Sequence, residues 1–320
     1  MHKTRLTHSD TIGVARGVDS QEFVTAVRFG LDGTTLYLAM HSNETTAVVR
    51  VARATGSVLE QLSLPHDSLT GLWLLRDGRT LVAAGTTTLY FLPTDLSDTG
   101  GQIAICDSTI TGVTPFGVRG RAYAICGEST LVEIDSELQI AVRSASVRPS
   151  DSIDGVICGT GGIATSPSGS IVYVLCRRSG MLLYIDRLTL TTFDSVAVGA
   201  GGQEMALVPS GRRTVITRPG AGELVVVDLR KREVESRISM ESPWSVAVGM
   251  DGRHAYVTTH EDQSHGRLLL VNLEDAAVTG TRQHPLAPSP SRYGQAPEVP
   301  KCAGTRPSLE SLPALHPAEP

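Results

Sequence analysis

A glycine turn recurs six times along the chain: GLDGTTLYL, LRDGRTLVA, GVRGRAYAI, SPSGSIVYV, VPSGRRTVI and GMDGRHAYV. Its glycines, Gly33, Gly78, Gly120, Gly169, Gly211 and Gly252, lie 41 to 49 residues apart. Asp-Gly or Ser-Gly between alternating apolar runs marks a β-hairpin, because glycine reaches positive φ without a Cβ clash. A second strand pattern follows each turn: AVVRVA, TLYFLP, TLVEID, MLLYID, ELVVVD and RLLLVN, ending at Ala52, Pro93, Asp135, Asp186, Asp228 and Asn272. An Asp or Asn at that place can bond its own backbone two residues on and start the next turn.

Four strands per unit, six units and no helical period predict an all-β chain: a single β-propeller of six four-stranded blades. One blade alone exposes both sheet faces, and packing blades in a closed ring buries them. TIGVARGV, residues 11–18, precedes the first unit, so a seventh blade built from the termini is the alternative. The domain reading is a flexible 1–10, a propeller over 11–284 and a Pro-rich disordered tail over 285–320.

SPSGSIVYVLCRRSGMLLYIDRLTLTTFDSVAVG resembles the YVTN-type propeller repeat, and MDGRHAYVTT with LLLVNLE carries the same resemblance. It runs over roughly residues 20 to 280 and is weakest in the third unit. The resemblance implies the fold and little else, because that family includes cell-surface proteins, quinoprotein dehydrogenase subunits, lactonase-like hydrolases and scaffolds.

Composition narrows the partners. A net charge of −5 gives no general pull toward nucleic acid or anionic membrane. No run approaches the length of a membrane span, and no secretory leader is visible in MHKTRLTHSDTIGVARG. Three lysines against 25 arginines point to a GC-rich bacterial genome. The five cysteines, Cys106, Cys126, Cys158, Cys176 and Cys302, are odd in number and include no CxxC. They are expected as reduced thiols in the cytoplasm, mostly small buried hydrophobes.

In a propeller the loops between second and third strands share one rim with the between-blade connections. The longest such stretches fall in units one and six, which ring closure makes neighbours. HSNETT, with His41 and Glu44, is then expected near HEDQSH, with His260, Glu261, Asp262 and His265. His260 and His265 are five apart, which is not the helical spacing of a zinc protease. The patch is read in three ways: acid–base chemistry by His260, His265, His41 and Glu44, a hard cation such as Mg²⁺ or Ca²⁺ on Glu261 and Asp262, or a solvated polar turn. No cofactor is otherwise evident.

Other candidates share the rim. Arg177, Arg178 and Arg218 are placed to hold an anion. Trp244 is placed at the channel mouth to stack on a ligand. Glu204, in GAGGQE, and His66, beside Asp67, enter units five and two on the same side. GTGGIA, Gly159 to Ala164, matches a dinucleotide fingerprint literally, but an inner strand and not a helix is expected to follow it. The long connection from Asp135 to Gly169, with Asp151, Asp154 and Cys158, is read as a surface loop or partial lid. The function expected is a cytoplasmic bacterial propeller binding a small molecule or a partner protein at the channel rim. The alternative is an enzyme, a hydrolase, lyase or cyclase of specialised metabolism using the rim histidines and carboxylates.

Overall fold

The computed structural model describes residues 23–41, 46–65, 68–75, 77–114, 120–147, 158–260 and 265–285. They form six four-stranded antiparallel sheets arranged as the blades of a propeller. Blade one holds β1 (Phe23–Phe29), β2 (Thr35–His41), β3 (Thr46–Ala52) and β4 (Val58–Leu64), and blade two β5 (Gly71–Leu74), β6 (Thr80–Ala84), β7 (Thr88–Pro93) and β8 (Gly101–Ala104). Blade three holds β9 (Ile110–Val113), β10 (Arg121–Cys126), β11 (Thr130–Asp135) and β12 (Ile140–Ser146). Blade four follows with β13 (Thr160–Thr165), β14 (Ile171–Cys176), β15 (Met181–Asp186) and β16 (Thr192–Ala197). Blade five holds β17 (Glu204–Leu207), β18 (Arg213–Arg218), β19 (Glu223–Asp228) and β20 (Glu233–Ser239). Blade six holds β21 (Pro243–Val248), β22 (His254–His260), β23 (His265–Asn272) and β24 (Ala277–Pro285).

The strand order in each blade is the chain order, so the first strand faces the channel and the fourth faces out. Blade six takes its outer strand from its own β24. The TIGVARGV segment lies outside the described residues, as do residues 1–10 and most of the tail. No helix among the described residues is long and apolar enough to cross a membrane.

Burial follows position in the blade. The second and third strands are covered on both sides by neighbouring blades, so β14 and β15 are buried almost throughout. The fourth strand has solvent on its outer edge, and β12 is exposed along nearly its whole length. The core therefore lies between blades and not within them. Between blades four and five, Tyr173, Leu175, Leu182 and Tyr184 pack against Met205, Ile216, Val225 and Val227. Between blades three and four, Tyr123, Ile125 and Leu131 meet Ile163, Val172 and Val174.

The six turn glycines all take φ between 66° and 70°. Aspartates fix the turns. Asp32 accepts from the Thr34 and Thr35 N–H groups at 2.9 and 3.0 Å, and Asp251 from Arg253 and His254 at 3.0 and 3.2 Å. At the third-strand ends Asp186 accepts from Leu188 and Thr189, and Asp228 from Arg230 and Lys231.

These bonds favour the ionised carboxylates. Backbone bonds from Thr34 and Thr35 hold Asp32 at about 2, and the His254 side chain with the Arg253 N–H holds Asp251 at about 2. Asp186 and Asp228 are lowered chiefly by the Thr189 and Lys231 N–H groups. A depressed folded-state pKa contributes stability above the unfolded value, lost as pH falls through the folded one. Stability measured by denaturant midpoint is therefore expected to fall between about pH 4 and pH 2, and to fall less steeply in an Asp32→Asn, Asp251→Asn double variant, which keeps Asp186 and Asp228.

The cysteines correct one expectation. Cys106 pairs with Cys126 and Cys158 with Cys176 as disulfides, with Cα atoms 5.4 and 4.4 Å apart. Each bond ties the connection entering a blade to the end of that blade's second strand, in consecutive blades. Sequence separations of 20 and 18 hide this proximity, which only the hairpin register creates. The reduced-thiol reading of these four residues does not hold, and Cys158 is no free nucleophile. Cys302 lies outside the described residues.

Candidate functional site

The inner strands of all six blades surround a cavity of about 990 Å³ along the ring axis. Backbone and small side chains form most of its wall, and Arg28, Trp73, Arg121, Tyr123, Arg187, Glu204 and Ser245 stand out by their chemistry. Arg28 comes from β1. Its Nε donates to the Leu72 carbonyl of β5 at 2.6 Å, which fixes the guanidinium across the blade boundary. The side chain borders the cavity, yet the surrounding strands partly desolvate it. That lowers its pKa, with Glu204 acting in the opposite sense. An arginine remains a cation at neutral pH regardless.

Glu204 opens β17. Its Oε2 accepts from the Val246 N–H of blade six at 3.1 Å. The Thr217 hydroxyl accepts from the Glu204 N–H at 3.1 Å and donates to the Trp244 carbonyl at 3.0 Å. One threonine thus links Glu204 and Trp244, two residues singled out from sequence alone. Trp244 itself is 43% exposed. The indole of Trp73 lies over Gly71, where a Cβ would overlap the ring. Glycine at that position lets the ring lie along the inner strand and form a flat apolar wall of the cavity.

Two of the three rim arginines are engaged with protein through their side chains. Arg178 makes a forked pair with Glu128 of blade three, at 2.6 and 3.3 Å. Arg218 donates through Nε and Nη2 to the Ala200 carbonyl at 3.0 and 2.8 Å and pairs with Glu223, which also takes Arg237. Arg177 bonds through its backbone, donating to Gly159 and accepting from Gly201, both at 2.7 Å. They brace loops of blades three to five.

HEDQSH resolves into a hairpin. β22 runs to His260 and β23 restarts at His265, with His260 opposite Gly266. The His260 and His265 side chains lie outside the described residues, as do Glu44, Glu261, Asp262 and His66. His41 ends β2, half-buried, with Nδ1 2.9 Å from the Thr46 hydroxyl. Among the described residues no group of three His, Cys, Asp or Glu is arranged to hold a metal ion. The central part of the long connection, with Asp151 and Asp154, lies outside the described residues.

GTGGIA enters a strand, β13, as expected for a propeller. A Cβ at Gly161 would overlap the Gly202 carbonyl oxygen, and one at Gly202 would crowd Leu175. These glycines let the rims of blades four and five touch backbone to backbone.

A charged cluster in blade three, whose Arg121 also lines the cavity, escaped sequence reading. Glu133, 4% exposed, pairs with Arg143 at 2.5 Å and Arg121 at 3.8 Å, and Arg121 reaches Asp135 at 3.0 Å. Arg143 also donates to the Arg187 and Leu188 carbonyls of blade four, fastening it to blade three. Burial, then the Glu133 charge, pushes the neighbouring Tyr123 phenol up to about 12, so it stays a neutral donor. No sequence signal marks this cluster, because Glu133 reads as one polar residue in a strand.

No family model matches the chain, and no curated relative matches it. Solved structures do. Hydrazine synthase of Kuenenia stuttgartiensis superimposes with a TM-score of 0.67 at 15% identity, over 82% of this chain and 80% of that one. The Cps50 (Swd1) β-propeller domain of Myceliophteria thermophila gives 0.66 at 16%, over 81% and 86%. The likeness is one of fold. At such identity it carries no activity across, and the resemblance to the YVTN-type repeat rests on its motifs alone.

Proposed function

We propose that this chain is a ligand-binding propeller whose central channel takes a small polar molecule. The observation that supports this best is the cavity itself, about 990 Å³ and bordered by every inner strand. Its size is that of sites which enclose small ligands, and such sites combine mostly apolar or backbone walls with few placed polar groups. Arg28, Glu204 and Trp73 fit that description. The Arg178 and Arg218 side chains are engaged in bracing loops, which shifts attention from the rim to the channel. The paired cysteines favour an oxidising compartment for this binding over the cytoplasm.

The test is a thermal-shift screen of polar metabolites on the wild type and on a channel-narrowing Ser245→Phe variant. A ligand at a hundredfold its Kd adds about 2.7 kcal/mol of stability, a rise in Tm of roughly 5 °C or more for a chain of this size. Wild type is expected to shift and Ser245→Phe to shift less. An equal shift in both, or none across the library, overturns the channel as the site.

A further inference from the structure

We propose that the channel ligand is an ammonium–carboxylate zwitterion, its carboxylate on Arg28 and its ammonium on Glu204. This rests on the reading of the channel as the binding site and names its ligand class. Arg28 from blade one and Glu204 from blade five line the same cavity. Each is pinned by backbone of a neighbouring blade, Arg28 through Nε to Leu72 and Glu204 through Oε2 to Val246. Beyond that anchor Nη1 of Arg28 donates to the Val27 carbonyl at 3.4 Å, which leaves Nη2 for a ligand, and Glu204 has its second oxygen.

Among the described residues neither charge forms an ion pair, with the other or with a third group. Most other described acid–base partners in this chain do close: Arg121 with Asp135, Arg178 with Glu128, Arg218 with Glu223. The Arg28 and Glu204 charges do interact through space, and both border the cavity. Two opposite charges on one cavity that do not pair with each other discriminate by sign. Arg121, paired with Asp135, and Arg187, bonded to the Tyr123 phenol, line the same cavity, so Glu204 is the one lining carboxylate among the described residues: it repels a simple anion from Arg28, and the arginines repel a simple cation. Only a molecule carrying both charges gains at both ends. The Trp73 ring offers its carbon skeleton a flat wall.

The experiment is calorimetric titration with two sets of probes: the α-amino acids, and ω-amino acids of two to five carbons. The N-acetyl and carboxamide derivatives of any binder follow. At least one zwitterion is expected to bind, with both singly charged derivatives at least tenfold weaker. Arg28→Gln and Glu204→Gln are each expected to weaken it at least tenfold. Gln at 204 keeps an acceptor for the Val246 N–H, and thermal melting verifies that both variants fold. Arg28→Lys, which keeps the charge, is expected to retain more affinity than Arg28→Gln. Equal binding of a derivative, unchanged affinity in both Gln variants, or binding by singly charged molecules alone overturns the zwitterion while leaving channel binding intact. Silence from every probe together with a null metabolite screen overturns both.

Discussion

Treated with a phosphine reductant under native conditions, the protein is expected to lose about 6 kcal/mol of stability. The estimate comes from two independent loops of 20 and 18 residues, each worth about 3 kcal/mol by loop-closure entropy. The loops neither overlap nor nest, so their contributions should add. Against a total of about 5–15 kcal/mol for a typical protein this is a large share. It corresponds to a fall in Tm of roughly 10–20 °C in a chain of this size. The two bonds should also yield in order. Cys106 is half-buried, whereas Cys158 and Cys176 are fully buried, so reductant reaches the second bond only when the rim of blade four opens. Calorimetric melting before and after reduction, with thiol alkylation followed by mass spectrometry, measures both effects. An unchanged Tm in protein proven fully reduced sinks the prediction, and so does simultaneous loss of both bonds.

The disulfides also show why parts of the molecule were unreadable in sequence. Whatever depends on a few neighbouring residues was legible. The six turn glycines have left-handed φ, five of them in an Asp-Gly or Ser-Gly context and Gly120 after an arginine, and Asp186 and Asp228 cap the turns their positions suggested. The blade number follows, because it is a count of such local signals. Pairings between strands of different parts of the chain leave no such mark. Cys158 meets Cys176 only through the β13–β14 register, and Arg143 meets Arg187 and Leu188 only because blades three and four pack. The turns between third and fourth strands are a subtler case. They take positive φ at Gln139, Leu190, Arg232 and Ala276, residues that signal nothing of the kind. There the preceding Asp or Asn sets the turn, and the strand pairing on either side holds the strained residue in place.

The candidate site divides in the same way. Glu204 was legible as a residue near the channel because it follows a between-blade glycine turn. Arg28 was not, since TAVRFG reads as any half-exposed strand until ring closure makes one edge of β1 an inner wall. The rim arginines fall at the second-to-third-strand hairpins of blades four and five, where Arg218 meets Glu223 of its own hairpin, but Arg178 meets Glu128 of blade three only because the blades pack. A charge is easily found in a sequence; whether it is satisfied is a property of the fold.

The glycines of GTGGIA give that distinction its sharpest measurable form. Gly161→Ala is expected to cost about 3 kcal/mol, because the added Cβ falls on the Gly202 carbonyl oxygen. The obstacle is backbone on both sides, so no rotamer change relieves it, and the upper rims of blades four and five must separate. Gly201 supplies the contrast one residue from that contact. It sits at φ +84° with open space where a Cβ would go, so Gly201→Ala meets only the left-handed backbone penalty of about 1–2 kcal/mol. Urea midpoints of the two variants separate close approach from backbone conformation as the reason for glycine here. If Gly201→Ala costs as much as Gly161→Ala, blade contact is not what selects glycine at 161. A phosphate-cradling loop makes a different demand: nucleotide would have to raise the midpoint of the wild type and lose that effect in Gly161→Ala. The strand that follows Gly159 offers no helix N-terminus for a pyrophosphate, so nucleotide is expected to leave both midpoints where they are.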